Sequence, residues 1–177
     1  VGNPEEIRNQ ADLALSRGAN AVTIIFPEGK HPGKDALRIM MDPFKRTHVE
    51  LRFSGILDYE AFWTDFSGML KEEDSPFQHL GGSLGFDPLT LLALNGRVDN
   101  GDFVFRSLSR IMEEAASLAP GFRVLDINAG LFQNAGSTLT DELGYGLSVA
   151  VEYIDRLTDL GNDPSMIARA MQFNFCV

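Results

Sequence analysis

The stretch Val124–Gly136, which reads V-L-D-I-N-A-G-L-F-Q-N-A-G, decides the fold of this chain. Its first four residues predict a short strand, the next few predict a polar turn containing Gly, and an amphipathic helix is predicted from about Thr138. A strand that leads through such a turn into a helix is one βα unit. Because parallel βα folds keep their chemistry on the carboxyl side of the strands, this turn is the first place to look for reactive groups.

The same pattern repeats along the chain. Short apolar runs predict strands at residues 21–26, 49–53, 80–86, 124–127 and 171–176, and periodic segments between them predict helices. Alternation of this kind indicates a mainly parallel sheet with right-handed crossovers. Since five strands do not complete an eight-stranded barrel, the pattern alone favours an open, doubly wound sheet. In the helix from Thr138, spacing near i, i+4 predicts a core-facing stripe of Leu139, Leu143, Leu147, Val151, Ile154 and Leu157.

Length and composition restrict the class of protein. The 177 residues suit one domain or a large piece of a bigger one, and 44% hydrophobic residues can fill a core. The sequence has no apolar run long enough to span a membrane, and its first residues have neither the basic start nor the apolar run expected of a signal peptide. The net charge of −10 disfavours nucleic acid and anionic membranes as partners. The single Cys176 suits a reducing cytosol. Because the chain starts without Met and ends within an apolar run, we expect an internal fragment.

Two turns could bind phosphate groups, but each has a simpler structural interpretation. The loop Pro27–Lys34 holds Lys30, His31 and Lys34. It lacks G-x-x-x-x-G-K-[ST], so a solvated loop is favoured over a phosphate cradle. The three glycines of Leu80–Pro88 could form a dinucleotide-binding turn, but G-x-G-x-x-G is not met, so close approach of backbone or a ligand is the favoured interpretation.

The ionisable candidates also have structural interpretations. Asp87 precedes Pro88 and is predicted to be a helix N-cap. Asp141 and Glu142 suit the positive end of a helix dipole. We expect His31, His48 and His79 to be loop or edge residues. Asn3 is predicted to cap a helix that begins at Pro4, and Asp35 is predicted to cap a helix that begins at residue 36. The sequence has no metal-ligand pattern such as C-x-x-C or H-E-x-x-H.

The turn after the 124–127 strand lacks the groups that catalysis requires. Residues 127–136 include no His, Lys, Arg, Cys, Ser, Asp or Glu, and their polar side chains are the amides of Asn128, Gln133 and Asn134. Such a turn can bind or pack, but it offers little for acid–base chemistry.

Three segments carry a resemblance to a known family. Residues 127–136, I-N-A-G-L-F-Q-N-A-G, are similar to I-S-G-Y-H-M-Q-E-A-G, and the following helix keeps E-L-G-Y at 142–145 and V-E-Y at 151–153, where the family has E-L-A-Y and L-E-Y. Residues 82–96 align with G-T-I-Q-N-D-x-L-K-E-F-M-V-R-N, and residues 170–175 are similar to L-S-F-F-W-G. The chain thus resembles, over nearly its whole length, the small subunit of adenosylcobalamin-dependent methylmalonyl-CoA mutases.

The resemblance implies a particular fold and cofactor arrangement. It implies an α/β, partial TIM-type (β/α)8 barrel of about five parallel strands, which overrides the preference for an open doubly wound sheet. Residues 1–177 would be a single fragment of the barrel domain, roughly its strands two to six. Nothing matches the D-x-H-x-x-G motif of the cobalamin domain. Adenosylcobalamin is therefore expected on the large subunit, with no cofactor on this chain.

The departures from the family pattern concern its substrate-contacting residues. Leu131 stands at the position of the substrate-carbonyl His, Gly130 at a Tyr, Gly85 at a Gln and Asn95 at an Arg, while Ser83 conserves a Thr hydroxyl. Leu cannot donate a hydrogen bond, and Asn lacks the charge and fork of a guanidinium. We therefore expect no catalytic or metal-binding residue. The carboxyl ends of the strands, the barrel mouth, would present Ser83, Gly85, Asn95, Asn128 and Gln133 to any substrate.

These implications define the expected function. The chain would be a non-catalytic part of a cytoplasmic, heterodimeric methylmalonyl-CoA mutase, an isomerase of propionate metabolism, and it would support the large subunit. An independent acyl-CoA enzyme, with Lys30, His31 and Lys34 on the CoA phosphates, and a βα domain that binds a small metabolite are the alternatives. We expect no nucleic-acid or membrane partner. Because a partial barrel exposes strand edges and an inner face expected to be apolar, we also expect self-association.

Overall fold

A computed structural model describes residues 3–26, 31–45, 49–72, 80–96 and 101–176, except for the side chain of residue 95. Within them the strands are parallel, alternate with helices and form an open sheet, which confirms the predicted class and is consistent with a partial barrel. The strands are β1 Ala21–Ile25, β2 Glu50–Ser54, β3 Gly81–Phe86, β4 Phe122–Asn128 and β5 Met171–Asn174. The helices are α1 Pro4–Ser16, α2 Lys34–Met41, α3 Tyr59–Glu72, α4 Pro88–Asn95, α5 Gly101–Leu118, α6 Gly130–Asn134, α7 Leu139–Asp159 and α8 Pro164–Arg169.

Local sequence signals account for several helix starts. Asn3 caps α1 by accepting a hydrogen bond from the Glu5 amide at 3.1 Å, and Pro4 occupies the first helical position. Two predictions were wrong in detail. The helix α2 begins at Lys34 after Gly33, so Asp35 lies in its first turn and is not its cap. Residues 130–134, predicted as part of a turn, form the short helix α6.

The chain divides into two compact units, of which the first comprises the described residues up to Gly85 and Glu113–Phe122. In this unit β1 and β3 both pair with β2, and aromatic rings fill the space between β2 and α3. The Phe53 ring lies 4.9 Å from that of Phe62 and 5.4 Å from that of Phe66. Because Phe53 faces α3, its strand neighbours Arg52 and Ser54 point to the opposite face.

That opposite face is more polar than expected. The register pairs Thr23 with Arg52 and Arg52 with Ser83, so hydroxyl and guanidinium groups lie side by side there. Ile25 is a large apolar residue on this face, and 66% of its surface is exposed. The expectation of an apolar inner face is therefore wrong for the strands of this unit.

The second unit comprises Phe86–Met112 and the described residues from Arg123 onward. Here β4 pairs with β5, and α7 supplies the longest helix. A capping box begins α7: the Thr138 hydroxyl accepts from the Asp141 amide at 3.2 Å, and Asp141 accepts from the Thr138 amide at 3.3 Å.

The predicted core face of α7 is largely wrong. Its buried residues are Glu142, Gly146, Ala150, Tyr153 and Leu157. The predicted residues Leu139, Leu143, Leu147 and Val151, which we call the apolar flank of α7, are exposed by 65%, 49%, 51% and 57%. Small residues explain the difference, because a Cβ at Gly146 would lie only 3.0 Å from the Cβ of Ala129. The helix approaches the turn after β4 through its small residues, and the large ones remain outside that contact.

The described residues form neither a membrane span nor a metal-binding cluster. No described helix is both long and apolar enough to span a membrane. In the same part of the chain, no three His, Cys, Asp or Glu residues group in a way that could hold a metal ion.

Candidate functional site

The turn after β4 is compact and carries no acid–base group. Asn128 ends the strand and is exposed, whereas Gly130 is buried in the first turn of α6. Leu131 and Gln133 are half-buried in the same helix. The Gln133 carbonyl accepts from the Gly136 amide at 2.8 Å, which ends the helix. The structure thus brings together the predicted Asn128, Gly130, Leu131 and Gln133 within one short segment.

A buried carboxylate, Asp87, fixes this segment from the side. Its Oδ2 accepts from the Asn128 amide at 3.0 Å and from the Thr90 hydroxyl, while its Oδ1 accepts from the Thr90 amide at 3.0 Å. The hydroxyl of fully buried Tyr153 donates to Asp87 Oδ1 at 2.7 Å and accepts from the Leu89 amide at 2.9 Å. The network connects the start of α4, the end of β4 and the middle of α7.

The four hydrogen bonds to Asp87 determine what it can do. A carboxylate has about four acceptor positions, so none is left to take a proton from a substrate. Removing any donor would leave a buried charge less well satisfied. Asp87 is therefore suited to hold the turn in place and unsuited to act as a general base.

The residues that follow β5 also pack on this turn. The Cys176 amide donates to Oε1 of Glu142 at 2.7 Å, and Glu142 is only 2% exposed. The Cys176 Sγ lies 3.8 Å from the Gly130 carbonyl oxygen. A Cβ added at Gly130 would lie 2.7 Å from that sulfur, which is closer than non-bonded atoms tolerate.

The predicted site residues of β3 lie in the first unit. Ser83 is fully buried, and its Oγ has no hydrogen-bond partner within the described part of the chain. Gly85 has a φ of +74°, and its carbonyl accepts from the Tyr59 hydroxyl at 2.5 Å. A Cβ at Gly85 would lie 2.7 Å from the Phe53 carbonyl oxygen. Position 85 is therefore adapted to close backbone packing, and a Gln side chain would not fit this conformation.

Several predicted residues lie outside the description or already have partners. The side chain of Asn95, and the residues Lys30, His48 and His79, are outside the described part. Lys34 pairs with Glu72. The His31 ring lies edge-on against Phe62 at 5.5 Å.

Sequence reasoning missed two functional features of the second unit. It treated Asp87 as an ordinary N-cap, and the structure confirms the cap but adds the bonds to Tyr153 and Asn128. It treated Glu142 as a dipole acid, although Glu142 is buried against Cys176. The available signal was periodicity, because Glu142, Gly146, Ala150, Tyr153 and Leu157 recur at helical spacing.

Comparison with known proteins gives a consistent result. Residues 59–177 match the family model described as methylmalonyl-CoA mutase. The methylmalonyl-CoA mutase small subunit of Porphyromonas gingivalis (strain ATCC BAA-308 / W83) is 33% identical over 174 residues, which cover 98% of this chain and 28% of that protein. The small subunit of Propionibacterium freudenreichii subsp. shermanii is 30% identical over 152 residues, covering 76% of this chain and 23% of that protein.

The large subunit of the same Porphyromonas gingivalis strain is more distant. It is 21% identical over 188 residues, which cover 92% of this chain and 26% of that protein. The chain therefore spans about a quarter of the length of these relatives. The family model covers more than half of the chain, so this chain belongs to the methylmalonyl-CoA mutase family.

Proposed function

We propose that this chain is a non-catalytic piece of the barrel of a methylmalonyl-CoA mutase small subunit. Its role is to support a large subunit that interconverts methylmalonyl-CoA and succinyl-CoA in the cytoplasm. The observation that carries the proposal is Leu131, which stands where the resemblance puts the substrate-carbonyl His. A hydrocarbon side chain cannot donate the hydrogen bond that polarises a thioester carbonyl.

Two further residues, one in each unit, support this proposal because neither supplies the missing group. The buried carboxylate of Asp87 accepts from the Asn128 amide of this turn, and its acceptor positions are all occupied. Gly85 presents no side chain, and its carbonyl is held by Tyr59. The higher identity to small subunits than to the large subunit points the same way.

We propose that the described residues do not hold cobalamin. An axial ligand must present a ring nitrogen to the metal, and His31 is the one histidine of three that lies in the described residues. Its Nδ1 is 3.0 Å from the Pro32 carbonyl, its ring packs on Phe62, and its side chain is 14% exposed. The family is cobalamin-dependent, and we assign the cofactor to the large subunit.

The experiment is a turnover assay with methylmalonyl-CoA and adenosylcobalamin. We expect no succinyl-CoA from this chain alone, and turnover when a large mutase subunit is present. The variant Leu131→His should also remain inactive alone, because positions 85 and 95 still lack the family Gln and Arg. Turnover by the unmodified chain in the absence of a large subunit would overturn the proposal.

The alternative of an independent acyl-CoA enzyme is less well supported. Its candidate Lys34 is engaged with Glu72, so a CoA phosphate would have to displace a carboxylate. Calorimetric titration of the chain with an acyl-CoA separates the two functions. Saturable micromolar binding would favour the enzyme, and an absence of binding heat would favour the supporting subunit.

A further inference from the structure

We propose that Cys176 fills the space that a side chain at position 130 would need, and that Glu142 is the positioning residue that holds it there. The thiol would thereby occupy, at the end of β4, the space of the Tyr side chain that the resemblance places at position 130. The contact itself is geometric, but its interpretation as closure of a former substrate site rests on the proposed function.

The glycine at position 130 is not required by backbone conformation. Gly130 lies in the helix α6, and it is not one of the glycines with positive φ. Alanine is a better helix former than glycine, so an unobstructed Gly130→Ala would stabilise the chain. The obstruction is the Cys176 sulfur at 2.7 Å from the added Cβ, with the Cys176 nitrogen at 3.5 Å and Asn128 Oδ1 at 3.6 Å. A side chain at this position must therefore displace the thiol.

Glu142 explains why the thiol stays in place. Its carboxylate is buried in the first turn of α7 and accepts the Cys176 amide at 2.7 Å, a charge-assisted hydrogen bond. One turn further along α7, a Cβ at Gly146 would lie 3.5 Å from the Phe175 ring. The segment Phe175–Cys176 thus lies on the start of α7, and its backbone position places Sγ beside Gly130.

Thiol labelling tests the contact directly, because Cys176 is the single cysteine of the sequence. The full chain is reacted with a chromogenic aromatic disulfide under native conditions, and the rate is measured by absorbance. We expect Gly130→Ala to expel the thiol and speed labelling by about tenfold or more. An unchanged rate, together with a higher urea midpoint, would show that the space beside position 130 is free and would overturn the proposal.

A second pair of variants tests the role of Glu142. Glu142→Gln keeps an oxygen acceptor for the Cys176 amide, so its labelling rate should stay near that of the unmodified chain. Glu142→Leu removes the acceptor and should raise the rate by about tenfold. Equal rates for the two variants, with far-ultraviolet circular dichroism confirming that both are folded, would contradict the positioning role.

Compensation provides a readout that does not depend on Glu142. Adding Cys176→Gly to Gly130→Ala removes the sulfur, so the double variant should recover most of the urea midpoint lost by Gly130→Ala. If the urea midpoint of the double variant falls by the sum of the losses measured for Gly130→Ala and Cys176→Gly alone, the two residues do not compete for the same space and the proposal is contradicted. None of these measurements requires turnover. The labelling and urea results can therefore contradict the proposed contact without affecting the proposed function, and the turnover assay can contradict the function without affecting the contact.

Discussion

At the scale of single residues, the Tyr153 hydroxyl has the most consequential position. It donates to Asp87 in a buried hydrogen bond and accepts from the Leu89 amide in a partly buried one. We predict that Tyr153→Phe lowers the free energy of unfolding by about 1–3 kcal/mol, because an amide and a carboxylate each lose a partner. Urea denaturation at neutral pH measures this loss.

The matched control lies two turns earlier on the same helix. Tyr145 is 50% exposed, and its ring packs on Phe132 with centroids 5.0 Å apart. Tyr145→Phe keeps the ring and removes a solvated hydroxyl, so it should change stability by less than about 0.5 kcal/mol. Equal losses for the two variants would show that the buried network contributes nothing specific.

At the scale of elements, α7 has more apolar residues than the second unit buries, because its apolar flank is exposed. Leu157 is fully buried, whereas Leu147 on the apolar flank is 51% exposed. The same substitution should therefore have different effects at the two positions. We predict that Leu157→Ala costs about 2–5 kcal/mol and that Leu147→Ala costs less than about 1 kcal/mol. Thermal and urea unfolding of both variants would check this, and a large loss at Leu147 would mean that the flank is covered in solution.

The ends of α2 and α3 are joined by charge, which predicts a pH dependence. Glu72 accepts from Lys34 and from Arg38, and the hydrogen bond and charge of Lys34, followed by those of Arg38, hold the pKa of Glu72 below its ordinary value. A lowered pKa means that the folded chain binds this proton less tightly than the unfolded chain. The stabilisation is therefore present above the ordinary pKa of a Glu and is lost as the pH falls through the lowered pKa.

The corresponding variant is Glu72→Gln. We expect its urea midpoint to be below that of the unmodified chain at pH 7, and the difference to shrink as the pH falls below about 5. Added salt at pH 7 should shrink the difference too, because the pair is exposed. A difference that grows on acidification would contradict the assigned ion pairs.

At the scale of the whole molecule, net charge and exposed apolar surface have opposite effects on association. The charge of −10 makes copies of the chain repel one another, and the apolar flank of α7 offers a surface for contact. We predict self-association that increases with salt, because salt screens the repulsion and leaves apolar contact intact. Light scattering at several salt concentrations measures this, and a clean monomer at high concentration in all of them would contradict it.

The sequence predicted the elements well because their signals are local. Apolar runs located the five strands of the described residues, and the predicted helix starts at Pro4 and near Thr138 lie within a residue or two of those observed. The residues of the candidate site came from the resemblance, residue by residue. What they do there had to come from contacts, since the partners of Asp87 are 41 and 66 residues away along the chain.

The sequence by itself determined that the chain is a βα protein and that residues 127–136 have no acid–base side chain. Both follow from residue type and short-range periodicity, which do not depend on the rest of the fold. The tertiary structure alone decided which side of α7 is buried, because close approach depends on small residues such as Gly146 meeting Ala129. It also decided that Gly130 faces the thiol of Cys176, since parallel pairing of β4 with β5 brings together residues 46 positions apart.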